Sequence, residues 1–116
     1  MRQIVRGWFH EEPPAAEMDA MLADALLWPE QALFDLRASM EHADYRPRLG
    51  EIAAPTLVVH GEHDRGRPRS QAQALADGVQ HGRLVVLDCG HTPSQEAPAQ
   101  FNRHFWAFME APSTAF

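Results

Sequence analysis

Pro55-Thr56-Leu57-Val58-Val59-His60-Gly61-Glu62-His63-Asp64 and, further on, Leu84-Val85-Val86-Leu87-Asp88-Cys89-Gly90-His91 are the two stretches that decide the fold. Each opens on a run of Val and Leu too short for a helix and closes in a glycine-containing turn followed by an acid or a base. Uninterrupted apolar runs of this kind suit strands whose two faces are both covered. A parallel strand presents its reactive side chain at its carboxyl end, and the side chains in that position are Asp64 and His91.

Outward from these strands the chain reads as helical first and alternating afterwards. Pro13-Pro14 precedes Ala15 to Leu26, where Met18, Met21, Leu22, Ala25 and Leu26 recur at helical spacing. Pro29 opens a second helix with Ala32, Leu33, Leu36 and Met40 as its apolar stripe. A loop through Asp44, Pro47 and Gly50 leads to the first strand. Pro68 starts a third helix to about Val79, with Ala72, Leu75, Ala76 and Val79 on one face. The second strand, Leu84 to Leu87, is followed by a last helix from about Ala97 to Met109, carrying Phe101, Phe105 and Phe108 on one side. Strand, helix, strand, helix is the pattern of an α/β protein with a parallel sheet.

Length and charge bound the reading further. With 116 residues, 45% of them hydrophobic, the chain holds one modest domain or part of one. Ten basic against sixteen acidic residues give a net charge of −6, and the arginines are scattered, which argues against nucleic acid as a partner. The single cysteine, Cys89, cannot form an internal disulfide, and no apolar run has the length of a membrane span. A reducing, cytoplasmic setting without membrane attachment is the expectation.

From Asp44 to Met109 the residues resemble the carboxyl-terminal part of the α/β-hydrolase fold. The first block is spelled by Asp44, Arg46, Leu49, Ile52, Pro55 to Val59, Gly61 and Asp64, and the second by Gly90, His91, Pro93, Glu96, Pro98, Phe101 and Asn102. A string of this many residues at fixed spacing is far more specific than a lone short motif. The resemblance implies a division into residues 1–43, a helical cap-like segment, residues 44–110, the carboxyl-terminal core portion, and a tail at 111–116. It also implies that Asp64 and His91, 27 residues apart, are the acid and the general-base histidine of a hydrolytic site, in the chain order that family keeps. The histidine would move a proton from and to the reacting groups while the aspartate fixes its tautomer. No cofactor or metal is expected.

The rest of that machinery is not spelled here. A nucleophile elbow needs small residues around the nucleophile, as in Gly-x-Ser-x-Gly, and Ser39, Ser70, Ser94 and Ser113 all lack that frame. Cys89 has no glycine two residues before it. Two strands are also thin for a stable sheet. The expectation is therefore a fragment or split hydrolase, inactive alone, that takes a small ester, thioester, amide or carbon–carbon substrate once an amino-terminal part completes it. The rival expectation is a non-catalytic module that associates, as a homodimer or with a partner chain, through the bare edge of its sheet.

Plainer readings accompany each candidate. His91 has the alternative of a surface-loop histidine, and Asp64 that of a turn aspartate ahead of Arg65-Gly66. Glu62 and His63 read as solvated residues of the acid loop. His60, Glu62, His63, Asp64 and His91 together invite a metal reading, disfavoured by the absence of an H-E-x-x-H frame. Met18, Met21 and Met40 read as core fillers. Trp8, Phe9, Trp28 and Phe34 read as packing more readily than as an acyl pocket.

Overall fold

The structure is a computed structural model and describes residues 2–111, so the tail, apart from Ala111, lies outside the described residues. At its centre, strand β1 (Thr56–Gly61) pairs in parallel with β2 (Gly82–Leu87), in a register running from Thr56 opposite Gly82 to Gly61 opposite Leu87. Helix α4 (Arg69–Gly78) connects them, as a parallel pair requires. Val59, Val85 and Leu87 pack on one face with Ala97 and Phe101, the latter from helix α6 (Pro98–Met109). Side chains alternate along a strand, so Val58 and His60 point the other way, toward α4, where Ala76 and Val79 are buried. Leu87, with only 2% of its surface exposed, contributes about 2 kcal/mol of apolar burial.

The amino-terminal part is helical. Helix α1 (Arg2–Arg6) and α2 (Ala15–Leu26) close a small second core of Val5, Phe9 and Met18, with Met21 and Leu22 against it. Helix α3 (Glu30–Glu41) forms where the periodicity places it but buries none of its residues. Met40, read above as a core filler, is exposed, as are Leu33, Phe34 and Leu36 of the same helix and the adjoining Leu26, Leu27 and Trp28. Periodicity fixes which side of a helix is apolar; burial needs an opposing surface, and the described residues supply none here.

Between α3 and β1 the chain makes a 3-10 helix, Arg46–Glu51, where a plain loop was expected. Asp44 and Arg46 pair there through two side-chain bonds of 2.8 and 2.7 Å, and this hydrogen bonding from Arg46 holds the Asp44 carboxyl down at about 2. Among the described residues no helix is long and apolar enough to cross a membrane.

Candidate active site

Two glycines bring the site together. An added Cβ on Gly61 would stand 1.8 Å from the carbonyl oxygen of Gly90 and 2.6 Å from that of Cys89, so the end of β1 lies directly against the turn that follows β2. On Gly90 a Cβ would lie 2.6 Å from both the Trp8 carbonyl oxygen and the His10 nitrogen. Three backbone segments therefore touch where side chains would ordinarily separate them. Main-chain bonds continue the ladder past the strand: Glu62 N–H donates to Leu87 O at 2.8 Å and His63 N–H to Cys89 O at 3.0 Å. The acid loop and the histidine loop are thereby fixed at the same edge of the sheet. A helix, α5 (Pro93–Glu96), follows the histidine.

Here Asp64 Oδ2 and His91 Nδ1 lie 2.7 Å apart. A carboxylate only accepts, so Nδ1 carries the proton and donates, and in the neutral imidazole Nε2 keeps its lone pair. Nε2 makes no hydrogen bond within the described residues. The other carboxylate oxygen accepts from Gly66 N–H at 2.8 Å and Arg67 N–H at 3.0 Å. Asp64 is thus both the turn aspartate and the partner of His91; the two readings of the sequence are not exclusive, because each oxygen serves one of them. The Asp64 side chain is 4% exposed and that of His91 44%, an arrangement that shields the carboxylate and leaves the imidazole accessible.

Burial pushes the Asp64 carboxyl up, but the bonds from His91, Gly66 and Arg67, with the charge of His91, outweigh it and hold the group below its ordinary 3.8. A depressed carboxyl contributes stability that is fully present above its unfolded value and disappears as pH falls through the folded one. Asp64→Asn should therefore lose less stability than the wild type between pH 5 and pH 2, measured by urea unfolding at each pH; equal losses would contradict the assignment.

Beside this pair opens a cleft of about 200 Å³ lined by Gly7, Trp8, Asp64, Gly66, Arg67 and His91, the Trp8 and His91 rings 6.4 Å apart. Trp8 thus reaches the site although the sequence pointed to packing, while Phe9 is in the small core and Trp28 and Phe34 are exposed. The Trp8 contact includes its backbone carbonyl, which accepts from His91 N–H at 2.6 Å. A main-chain contact of that kind leaves no residue-type signal in a sequence.

The remaining candidates are placed elsewhere. His60 is buried in β1, and His63 bonds Asp88 at 2.7 Å while stacking on His10 with ring centroids 3.8 Å apart. His63 is therefore a partner of two residues and more than a solvated link. The five residues of the metal reading do not converge: among the described residues the grouped donors are Glu62, His63 and Asp88, within 4.8 Å of one another, and two of these, His63 and Asp88, already bond each other. Ser39, Ser70 and Ser94 are exposed, and Ser113 lies outside the described residues. Burial, then the charges of Glu96, Asp88 and Asp64, raise the Cys89 thiol to about 11. At pH 7 that leaves roughly one thiolate in ten thousand, too few for a nucleophile. Iodoacetamide should modify Cys89 far more slowly in the folded chain than in urea; comparable rates would show that the thiol is exposed.

Comparison with known proteins follows the same outline. No protein-family profile matches the chain. A 2-hydroxy-6-oxononadienedioate/2-hydroxy-6-oxononatrienedioate hydrolase of Paraburkholderia xenovorans is 44% identical over 67 residues, which is 57% of this chain and 23% of that protein. The solved enol-lactonase of Burkholderia xenovorans LB400 superposes with a TM-score of 0.73 at 25% identity, covering 94% of this chain and 43% of its own. A 2-hydroxy-6-oxo-6-phenylhexa-2,4-dienoate hydrolase from Rhodococcus superposes at 0.75 with 21% identity, over 95% of this chain and 43% of its own. The chain spans about a quarter of the first relative and under half of either solved structure. With two parallel strands, flanking helices and a helical segment ahead of them, it carries the carboxyl-terminal part of the α/β-hydrolase fold.

Proposed function

We propose that this chain supplies the acid and the general base of a hydrolase, Asp64 and His91, and that the nucleophile comes from polypeptide outside these 116 residues. The observation that carries the proposal is the 2.7 Å bond between Oδ2 and Nδ1, made at the carboxyl ends of neighbouring parallel strands with Nε2 left to accept a proton. In this reading Nε2 takes the proton of an incoming nucleophile as that atom bonds to the substrate carbonyl carbon. Nε2 then returns the proton to the leaving group as the scissile bond breaks, and the same exchange activates the water that releases the acyl part. Asp64 keeps the imidazole in the required tautomer and stabilises its charged form. The relatives named above are hydrolases, two of them named for oxo-dienoate substrates and one as an enol-lactonase. Within the small ester, thioester, amide or carbon–carbon substrates this chemistry can take, those names favour a lactone or an oxo-dienoate for this site.

The test is complementation. A polypeptide bearing Gly-x-Ser-x-Gly on the amino-terminal strands of the same fold, mixed with or joined to this chain, should hydrolyse 4-nitrophenyl acetate, while neither piece alone should do so. No gain on combination would refute the proposal.

A second reading rests on the outer edge of β1, which has no partner strand among the described residues. An unpaired edge is a template for another chain. If association is the purpose, native mass spectrometry should find a homodimer, and a monomer at micromolar concentration would remove this reading.

A further inference from the structure

Glu96 joins parts of the chain that lie far apart in sequence. Its Oε2 accepts from His10 N–H at 2.6 Å, a bond spanning 86 residues. Its Oε1 accepts from the Thr92 hydroxyl at 3.1 Å and from Thr92 N–H at 3.3 Å. The loop carrying His91 is thus held by one carboxylate on its far side, and by the bond from His91 N–H to Trp8 O on the near side. Gly90 between them leaves no room for slack: a Cβ there would be 2.8 Å from Glu96 Oε1. His10 also stacks on His63, one residue from Asp64, so the same short segment touches both loops that form the pair.

We propose that Glu96 is a positioning residue for His91, clamping the loop Gly90–Thr92 to the segment Trp8–His10 and so holding His91 Nδ1 at hydrogen-bond length from Asp64 more tightly than the main-chain bonds between the two loops do alone. The proposal deepens the functional reading above and rests on His91 being its base. The chemistry favours a carboxylate at this position. Two oxygens, both accepting only, meet donors on opposite sides, whereas an amide would turn its NH₂ toward one of two N–H groups. Charge-assisted bonds to backbone N–H are also shorter and stronger than neutral ones. The clamp explains why the amino-terminal segment, which contributes no acid or base to the pair, packs directly on the histidine loop.

The experiment follows the His91 Nδ1 proton by NMR in the full chain and measures its exchange with solvent. Glu96→Ala should accelerate that exchange by about tenfold or more, and Glu96→Gln, which keeps one of the two sides, by an intermediate factor. Val79→Ala, a buried change on the α4 side, controls for general loss of stability and should leave the exchange within about twofold of the wild type. Wild-type exchange in both Glu96 variants would overturn the proposal, as would equal acceleration by Val79→Ala. Should Glu96→Ala fail to fold, Glu96→Gln alone decides: unchanged exchange overturns the clamp. Activity plays no part in this readout, so it stands or falls apart from the role of His91 in hydrolysis.

Discussion

Exchange of His91 for Ala in the completed enzyme is expected to lower 4-nitrophenyl acetate hydrolysis by roughly 10³-fold or more, because removal of a base that works in concert with its nucleophile abolishes most of the benefit of both. Asp64→Asn should cost roughly 10²–10⁴-fold while leaving the fold in place. The physical reason is specific to the two oxygens of Asp64. Asparagine can still present its carbonyl oxygen to Gly66 N–H and Arg67 N–H, but the Nδ2 amide that then faces His91 donates, and only the opposite tautomer of the imidazole accepts from it. Nε2 would then carry the proton and have no lone pair for the nucleophile. Steady-state rates for the two variants, with circular dichroism to confirm folding, make the check. A folded Asp64→Asn enzyme with wild-type kcat would show that the aspartate is only a turn residue.

The second large effect concerns Gly61. Gly61→Ala places a methyl group 1.8 Å from a backbone carbonyl oxygen, well inside contact distance, and no rotamer change relieves a clash with main chain. Either β1 and the turn after β2 separate, which parts Asp64 from His91, or the domain does not fold. We expect a loss of at least about 3 kcal/mol, a large share of the roughly 5–15 kcal/mol that stabilises an ordinary domain. Gly50→Ala is the control: its Cβ would meet nothing nearer than 4.0 Å, and it should shift stability by no more than about 0.5 kcal/mol. Thermal melts of the two variants compare them directly. A Gly61→Ala protein that melts with the wild type would mean that the strands do not meet their loops as described.

What the sequence made legible is tied to local patterns that act over short distances. The Val and Leu runs gave both strands, and Pro14, Pro29 and Pro68 marked the starts of α2, α3 and α4. Gly61 and Gly90 stood in the quoted motifs, though their reason, the contact between three backbones, belongs to the tertiary structure. The pairing of Asp64 with His91 is an expectation from resemblance, and no local sequence pattern carries the 2.7 Å distance between them. Helix α1 and the 3-10 helix at Arg46–Glu51 went unread because five or six residues carry no periodicity to detect. Exposure of α3 went unread because amphipathicity states which face seeks burial without stating whether a partner is present. The bonds of His63 to Asp88 and of Trp8 O to His91 N–H join residues distant in sequence, one by a solvent-facing pair and one by main chain, and neither has a sequence signature.

The central claim is a division of labour, with acid and base on this chain and the attacking atom on another piece of polypeptide. Acid-quenched intact-mass measurement of the combined pieces after brief exposure to 4-nitrophenyl acetate tests it most directly. The acetyl group should appear on the elbow-bearing piece, at a rate that falls sharply with His91→Ala; acetylation of this chain instead, or of the other piece at an unchanged rate without His91, would contradict it.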